Sequence, residues 1–397
     1  MSNIKTFLMT HWRGILQVCV VLAAVTLLLG YCLGNVSHGV AASELANLKT
    51  YSSFHALLHN PLDAPYKVTA WALWHIPYHN AVGLRLPSVV FGVVTLALFS
   101  FIVRRWYGFR AALFGITLFA TSSWFLHVSR FTSLEIEYLW GIATLIGLHL
   151  LLHAYHEHFM ARIAWFAGMA LLLFVPGFLW LVAFNVFIQR EDLSDMWNDA
   201  DSVDKIIFSC IAAISFALLA LTFVFHPHLL MQWLGAPVHI SDWQGIVKRL
   251  GNAFMYFIVR GPSEPSLWLG RLPVLDAFVA VMTAAGIAFY VKHLSAPRTQ
   301  LLAGLFSISA ILFALNPGFR FSALVPIVYL IAVAGIAYVL HQWLKIFPRN
   351  PLARSIGIGI VVLVAAMACF YNLRSYFVAW PQAPPTIQVM SRSIKDA

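Results

Sequence analysis

The chain is so apolar that its chemically capable residues stand out against its polar interruptions. The first long interruption, 35–85, holds two acids, Glu44 and Asp63, among histidines, tyrosines and the lysines Lys49 and Lys67. A carboxylate there can take a proton from a hydroxyl or orient it. A cation can hold an anionic group through charge-assisted hydrogen bonds. Lys67 either meets a phosphate or snorkels to lipid headgroups. Arg130 is a single cation in apolar surroundings just beyond the third apolar span, where an arginine needs a partner. That partner is a lipid phosphate or one of two nearby acids, Glu135 and Glu137. Arg320, in the short turn 316–320, follows the same logic. Lys248 and Arg249 in a later polar stretch are further anion-holding candidates, and Arg85 is read as anchoring its own helix end. Plain structural alternatives exist for both acids. Glu44 fits the first turn of a helix, where acids are favoured. Asp63 fits a turn ahead of a proline.

The histidines give weaker signals. His55 and His59 are four apart on one predicted helix face, and His226 and His228 flank Pro227. His153, His156 and His158 with Glu157 read as an interfacial polar cap rather than a metal cluster. No cofactor is implied with certainty; a divalent metal near Glu44 is compatible with the neighbouring histidines. The acidic run 191–204 reads as a solvated cytosolic loop, and the chain has no P-loop and no GxGxxG.

The elements that must position these residues are membrane helices. The chain has 397 residues, of which 61% are hydrophobic and only 10% charged. Soluble domains carry roughly 25% charged residues, so composition alone predicts an integral membrane protein. The net charge of +10 is spread singly between apolar runs. That pattern suits topology signals and anionic headgroups, and it argues against nucleic acid. Cys19, Cys32, Cys210 and Cys369 lie in or beside apolar spans without a CxxC, so neither a disulfide framework nor a zinc site is expected.

Eleven apolar spans are predicted: 14–34, 86–103, 110–124, 134–152, 163–175, 177–189, 206–226, 273–291, 299–315, 322–341 and 355–371. The first is long enough to cross a bilayer and reads as an uncleaved anchor. The pair 163–175 and 177–189 is divided by Val175-Pro176-Gly177, a step that breaks a helix. Arg104, Arg105 and Arg110 at one turn, and Lys345, Arg349 and Arg354 at another, mark the cytoplasmic side. This places the N-terminus inside, and the loops 35–85 and 227–272 and the tail 372–397 outside a membrane domain spanning 1–371. Leu45, Leu48, Tyr51, Phe54 and Leu58 recur at helical spacing, predicting an interfacial helix, and 66–76 predicts a second with Trp71 and Trp74 at headgroup level.

Several blocks carry a family resemblance. These are Leu84-Arg85-Leu86-Pro87-Ser88-Val89-Val90-Phe91-Gly92, Arg104-Arg105-Trp106-Tyr107-Gly108, Ala120-Thr121-Ser122-Ser123-Trp124-Phe125 and Ser129-Arg130-Phe131. Leu272-Pro273-Val274-Leu275-Asp276 and Asn316-Pro317-Gly318-Phe319-Arg320-Phe321 follow. Their order resembles the GT-C membrane glycosyltransferases of glycosyltransferase family 39, which include protein O-mannosyltransferases and the lipid A aminoarabinose transferase. The resemblance implies an all-α, GT-C-like bundle of about eleven transmembrane helices in the cell membrane. It implies transfer of a sugar from a polyprenyl-phosphate carrier to an outer-face acceptor by inverting displacement. Membrane lipids and the lipid-linked sugar are the implied partners; no nucleic acid is. It makes Glu44, assisted by Asp63, the catalytic carboxylate, and Lys67, Arg130, Arg320, Lys248 and Arg249 the holders of the lipid phosphate. The family often has an Asp-Glu pair where this chain reads Ser43-Glu44. A GT-C-like scaffold without catalysis is therefore a second expectation. A lipid or solute transporter is a third, although no repeated halves are evident.

Overall fold

The computed structural model describes residues 20–21, 23–35, 39–75, 80–236, 243–263, 271–316 and 318–394. The start of the first span with Cys19, and parts of the 227–272 loop, lie outside the described residues. Among those described, regular structure is helical, with one isolated bridge between Val40 and Arg392.

Helix α1 occupies 20–30 (residue 22 apart) and feeds three short helices: α2 (Ala42–Tyr51), α3 (Phe54–His59) and α4 (Ala64–Trp74). The amphipathic stretch expected as one helix is broken because Ser53 caps a new start, its hydroxyl accepting from Ala56 N–H at 3.2 Å. Leu45, Leu48 and Tyr51 are buried, whereas Phe54 and Leu58 are exposed. Then come α5 (Ala81–Tyr107), α6 (Phe109–Thr121), α7 (Ser123–Arg130), α8 (Glu135–Tyr155), α9 (Phe159–Leu172) and α10 (Phe178–Ile188). They are followed by α11 (Arg190–Asp199), α12 (Ser202–Phe225), α13 (His228–Leu234) and α14 (Trp243–Ile258). The chain finishes with α15 (Ala277–Val291), α16 (Pro297–Leu315), α17 (Val325–Ile346), α18 (Pro351–Arg374) and α19 (Pro384–Val389).

Six helical stretches are long and apolar enough to cross a membrane, and the α6–α7 pair, bent by 64°, makes a seventh. Helices α9, α10 and α15 are apolar but shorter. These stretches coincide with the expected spans from 86 onward. The bend changes one expectation. Ser122 stops α6 and caps α7, its hydroxyl accepting from Phe125 N–H at 3.3 Å. The chain therefore turns back into the bundle instead of leaving it, and Arg130 ends a buried helix, 1% exposed.

Two glycine sites show how closely the elements approach. Gly177, at φ 80°, makes the α9–α10 turn, and a side chain there would strike the Phe319 ring. Gly286 and Gly335 let α15 and α17 cross almost backbone to backbone, since a Cβ on either would meet a carbonyl of the other helix. The tail docks on the loop that follows α1: Val40 N–H donates to Arg392 O at 3.0 Å, and Arg392 N–H to Val40 O at 3.2 Å. One end of the bundle thus gathers α2–α4, the α7–α8 corner, the turn before α17 and the tail.

Candidate functional site

A polar cavity of about 110 Å³ opens at that end. Ser43, Glu44 and Asn47 line it from α2, Thr132, Ser133 and Glu135 from the α7–α8 corner, and Arg320 from the turn before α17. Each position has a local cause. Glu44 lies in the first turn of α2, and its Oε2 accepts from Ala41 N–H at 3.1 Å, as in a capping box. Glu135 opens α8, where the helix dipole favours an acid, and its Oε2 accepts from Ser322 N–H at 3.1 Å.

Glu44 is bound on every side. Arg85 Nε donates to Oε1 at 3.0 Å and an Nη2 hydrogen to Oε2 at 3.0 Å, a bidentate pair. Thr132 N–H adds a third donor to Oε1's side at 3.1 Å. With Ala41 this makes four donors, which matches the acceptor capacity of a carboxylate. Arg85 is equally committed, donating to Leu33 O at 3.0 Å and Gly39 O at 2.9 Å and lying over the Phe131 ring. One expectation is corrected here: Arg85 does not anchor its own helix end but crosses to α2. Glu44 lines the cavity with its ion pair desolvated and each carboxylate oxygen accepting two hydrogen bonds.

Asp63 lies behind this wall in a second cluster. It caps α4 in the left-handed region, at φ 60°, with its N–H donating to Phe174 O at 2.9 Å. Its side chain does not cap the helix; it lies near the Glu137 carboxyl, close enough for each charge to disfavour the other. Glu137 Oε1 also accepts from Tyr66 N–H at 3.3 Å, and no N–H or other donor reaches its Oε2. Burial pushes the Asp63 carboxyl above its ordinary range, with the Lys67 and Arg320 charges partly offsetting it. Burial likewise lowers the Lys67 ammonium, against the pull of Asp63 and Glu137.

The expected phosphate-holding cations separate. Arg320 is half-buried and lines the cavity. Lys67 turns inward: its Nζ donates to Leu62 O at 2.6 Å and Asn60 O at 3.1 Å and sits 4.0 Å from Asp63. Arg130 donates to the Leu28 and Tyr31 carbonyls at the end of α1 and packs on the Phe377 and Tyr376 rings. Its partner is therefore neither of the two acids nor an open site. Arg249 closes the end of α16 through Ala314 O at 2.7 Å, and Lys248 is exposed on α14. Lys67, Arg130 and Arg249 thus lie outside the lining of this cavity, and each donates to backbone carbonyls.

Sequence reasoning passed over Glu135 and Glu137 as sites, treating them only as possible partners of Arg130. The signal was present: two acids two residues apart entering an apolar helix are costly unless used. A separate apolar groove of about 420 Å³ runs along α4 between Val68, Phe91, Trp140 and Phe174. Among the described residues no group of three His, Cys, Asp or Glu side chains converges on one point. His153 pairs with Asp192 at 3.2 Å, away from the cavity.

No family model and no curated protein matches the chain. Solved structures do. The crystal structure of ArnT from Cupriavidus metallidurans bound to undecaprenyl phosphate aligns with a TM-score of 0.54 at 14% identity, over 94% of this chain and 76% of that one. Its apo structure aligns with a TM-score of 0.53 at 14% identity, over 95% and 77%. At that identity the likeness is one of fold: an all-α polytopic membrane protein of GT-C architecture.

Proposed function

With the GT-C fold as premise, we propose that the protein is a membrane glycosyltransferase that takes a sugar from a polyprenyl-phosphate carrier. The observation that carries this reading is that Glu135 and Arg320 line one polar cavity in a bundle that also bears an apolar groove along α4. ArnT, of the same fold, is seen bound to undecaprenyl phosphate.

In this reading the prenyl chain lies in an apolar groove and Arg320 receives the phosphate. The acceptor hydroxyl attacks the anomeric carbon from the face opposite the phosphate. The bond from that carbon to the phosphate oxygen breaks, the polyprenyl phosphate leaves with the electron pair, and the hydroxyl proton passes to the Glu135 carboxylate. Arg320 stabilises the charge that grows on the leaving phosphate. Asp63, with Glu137 and Lys67, acts behind Arg320 by setting the field around it. Glu44 and Arg85 hold the wall. The cavity is assigned to the extracytoplasmic side, following the arginine-rich turns at the opposite helix ends.

The test is transfer by the purified chain in liposomes, using an undecaprenyl-phosphate-linked sugar and a mixed lipid and peptide acceptor pool. Release of undecaprenyl phosphate that depends on Glu135 supports the reading, and donor left intact under all conditions removes it. A second reading has its own observation. The cavity is smaller than the roughly 300–1,000 Å³ of ordinary ligand sites, and its Glu44 is saturated. A scaffold that binds the lipid phosphate without turnover would show affinity for undecaprenyl phosphate and no release from the sugar-linked donor.

A further inference from the structure

A second apolar groove, of about 360 Å³, lies between α14, α15, α16 and α17. It follows α15 from Leu275, just ahead of the helix, to Leu294, just beyond its end. Ile287, Val291 and Leu294 in its wall are exposed, so the groove opens sideways, where a membrane helix meets lipid. Its volume is that of a ligand site, within the ordinary span of roughly 300–1,000 Å³.

The foot of the groove, among Tyr290, Leu294 and Thr299, has a different chemistry. It lies at the end of the bundle away from the polar cavity, because α16 runs from here to the turn that bears Arg320. Arg298 stands in the first turn of α16, next to Thr299, and is half-buried. Its guanidinium packs 5.1 Å from the centre of the Tyr107 ring, and the Tyr107 hydroxyl is hydrogen-bonded to that of Tyr290 in the groove wall. One Nη1 hydrogen reaches Trp106 O at 3.4 Å, and among the described residues no carboxylate pairs with Arg298. A guanidinium has five N–H donors, so most are left for a ligand. The N-terminus of α16 has no side-chain cap, and its dipole favours an anion. Thr299, 5% exposed, lines the groove with a hydroxyl that has no hydrogen-bond partner among the described residues.

A long apolar groove that ends on a cation without a carboxylate partner, beside a helix N-terminus, matches an amphiphile with an acyl chain and an anionic head. We propose that this groove binds one anionic phospholipid of the surrounding bilayer, its acyl chain along α15 and its phosphate at Arg298 and the first turn of α16. Basic pockets between membrane helices hold such headgroups. The other mouth is a poorer place for the head. Its nearest described arginine, Arg260, two residues beyond Ile258 of the lining, is exposed, and a charge left in water is screened by salt. The inference does not depend on the proposed reaction.

The experiment is native mass spectrometry of the full chain in detergent, titrated separately with dioleoyl phosphatidylglycerol and dioleoyl phosphatidylcholine, which share acyl chains and differ in net charge. The expected result is one phosphatidylglycerol per chain, held roughly fivefold tighter than phosphatidylcholine, the worth of one basic residue at a charged surface. Arg298→Gln should bring the two lipids level, and Arg298→Lys, which keeps the charge, should retain the preference. Ala303→Trp, at an exposed position in the groove wall, should weaken both lipids by filling the place of the chain. Arg349→Gln, which removes one charge at the same end of the bundle, and Arg260→Gln, at the other mouth, should leave the preference intact. Glycerol phosphate, a head without chains, should not displace the lipid. Equal retention of both lipids by the wild type overturns the proposal. So does a loss in Arg349→Gln or Arg260→Gln that matches Arg298→Gln, unchanged binding in Ala303→Trp, or displacement by glycerol phosphate.

Discussion

Glu44 and Asp63 belong to the same loop and are both buried, 2% and 5% exposed, but they are buried in opposite ways. Glu44 meets a bidentate arginine and two backbone N–H groups, and every acceptor site is filled. Asp63 faces another carboxyl, with an ammonium at 4.0 Å that donates mainly to carbonyls. One acid has been neutralised by its surroundings. The other is held where its charge is costly, in a backbone conformation that also costs roughly 1–3 kcal/mol. Buried strain and incomplete pairing are found where a protein uses a residue, and full pairing where it builds with one.

The largest effect should come from breaking the satisfied pair. Arg85→Ala leaves Glu44 charged, buried and unpaired, so we expect a loss of about 3–5 kcal/mol, read as thermal or denaturant unfolding in detergent. Arg85→Lys should not rescue it, because an ammonium cannot span both carboxylate oxygens. Glu44→Gln is the sharper variant. A wall residue predicts lowered stability, whereas a general base predicts wild-type stability with transfer abolished; the second outcome would return Glu44 to the chemistry.

Glu135→Gln should do the reverse. Its amide oxygen can still accept from Ser322 N–H, so stability should hold while transfer falls by about 10²–10⁴-fold, the usual worth of a positioned acid or base. Near wild-type release of undecaprenyl phosphate would take Glu135 out of the mechanism.

Asp63→Asn tests the unsatisfied side. Because burial raises the Asp63 carboxyl above its ordinary 3.8, the folded chain binds this proton more tightly than the unfolded one. Its contribution is therefore most favourable at low pH and is lost as pH rises from the unfolded value through the raised folded one. Asparagine tolerates the left-handed conformation and does not titrate. A stability profile against pH should be flatter on its acid side in Asp63→Asn; an unchanged slope would mean that the proton belongs elsewhere. The smallest effects should be at the outlying cations. Arg249→Ala should cost about 0.3–1 kcal/mol through the α16 terminus, and Lys248→Ala should stay within about 0.5 kcal/mol.

Much of the fold was legible in the sequence. Apolar runs of bilayer length, arginines at alternate turns and the Val175-Pro176-Gly177 break correspond to helices and to a turn at Gly177. The site was legible only as a region. Arg130 looked like a lone cation outside the membrane because nothing in its local sequence announces the 64° bend that buries it. Lys67 looked available because the carbonyls of Asn60 and Leu62, set by the turn before α4, do not show in side-chain pattern. Glu135 and Glu137 were visible as acids at a span entrance, but their separate fates were not: one lines the cavity, the other faces Asp63.

By itself the sequence determined that this is a helical membrane protein with its polar chemistry concentrated after the first span. That follows from hydropathy and periodicity, which act along the chain and need no knowledge of contacts. Only the tertiary structure decided which acid is used up and which is left. Charge satisfaction is a three-dimensional sum, and the donors that close Glu44 come from positions 41, 85 and 132, while the groups that confront Asp63 come from 67, 137 and 320.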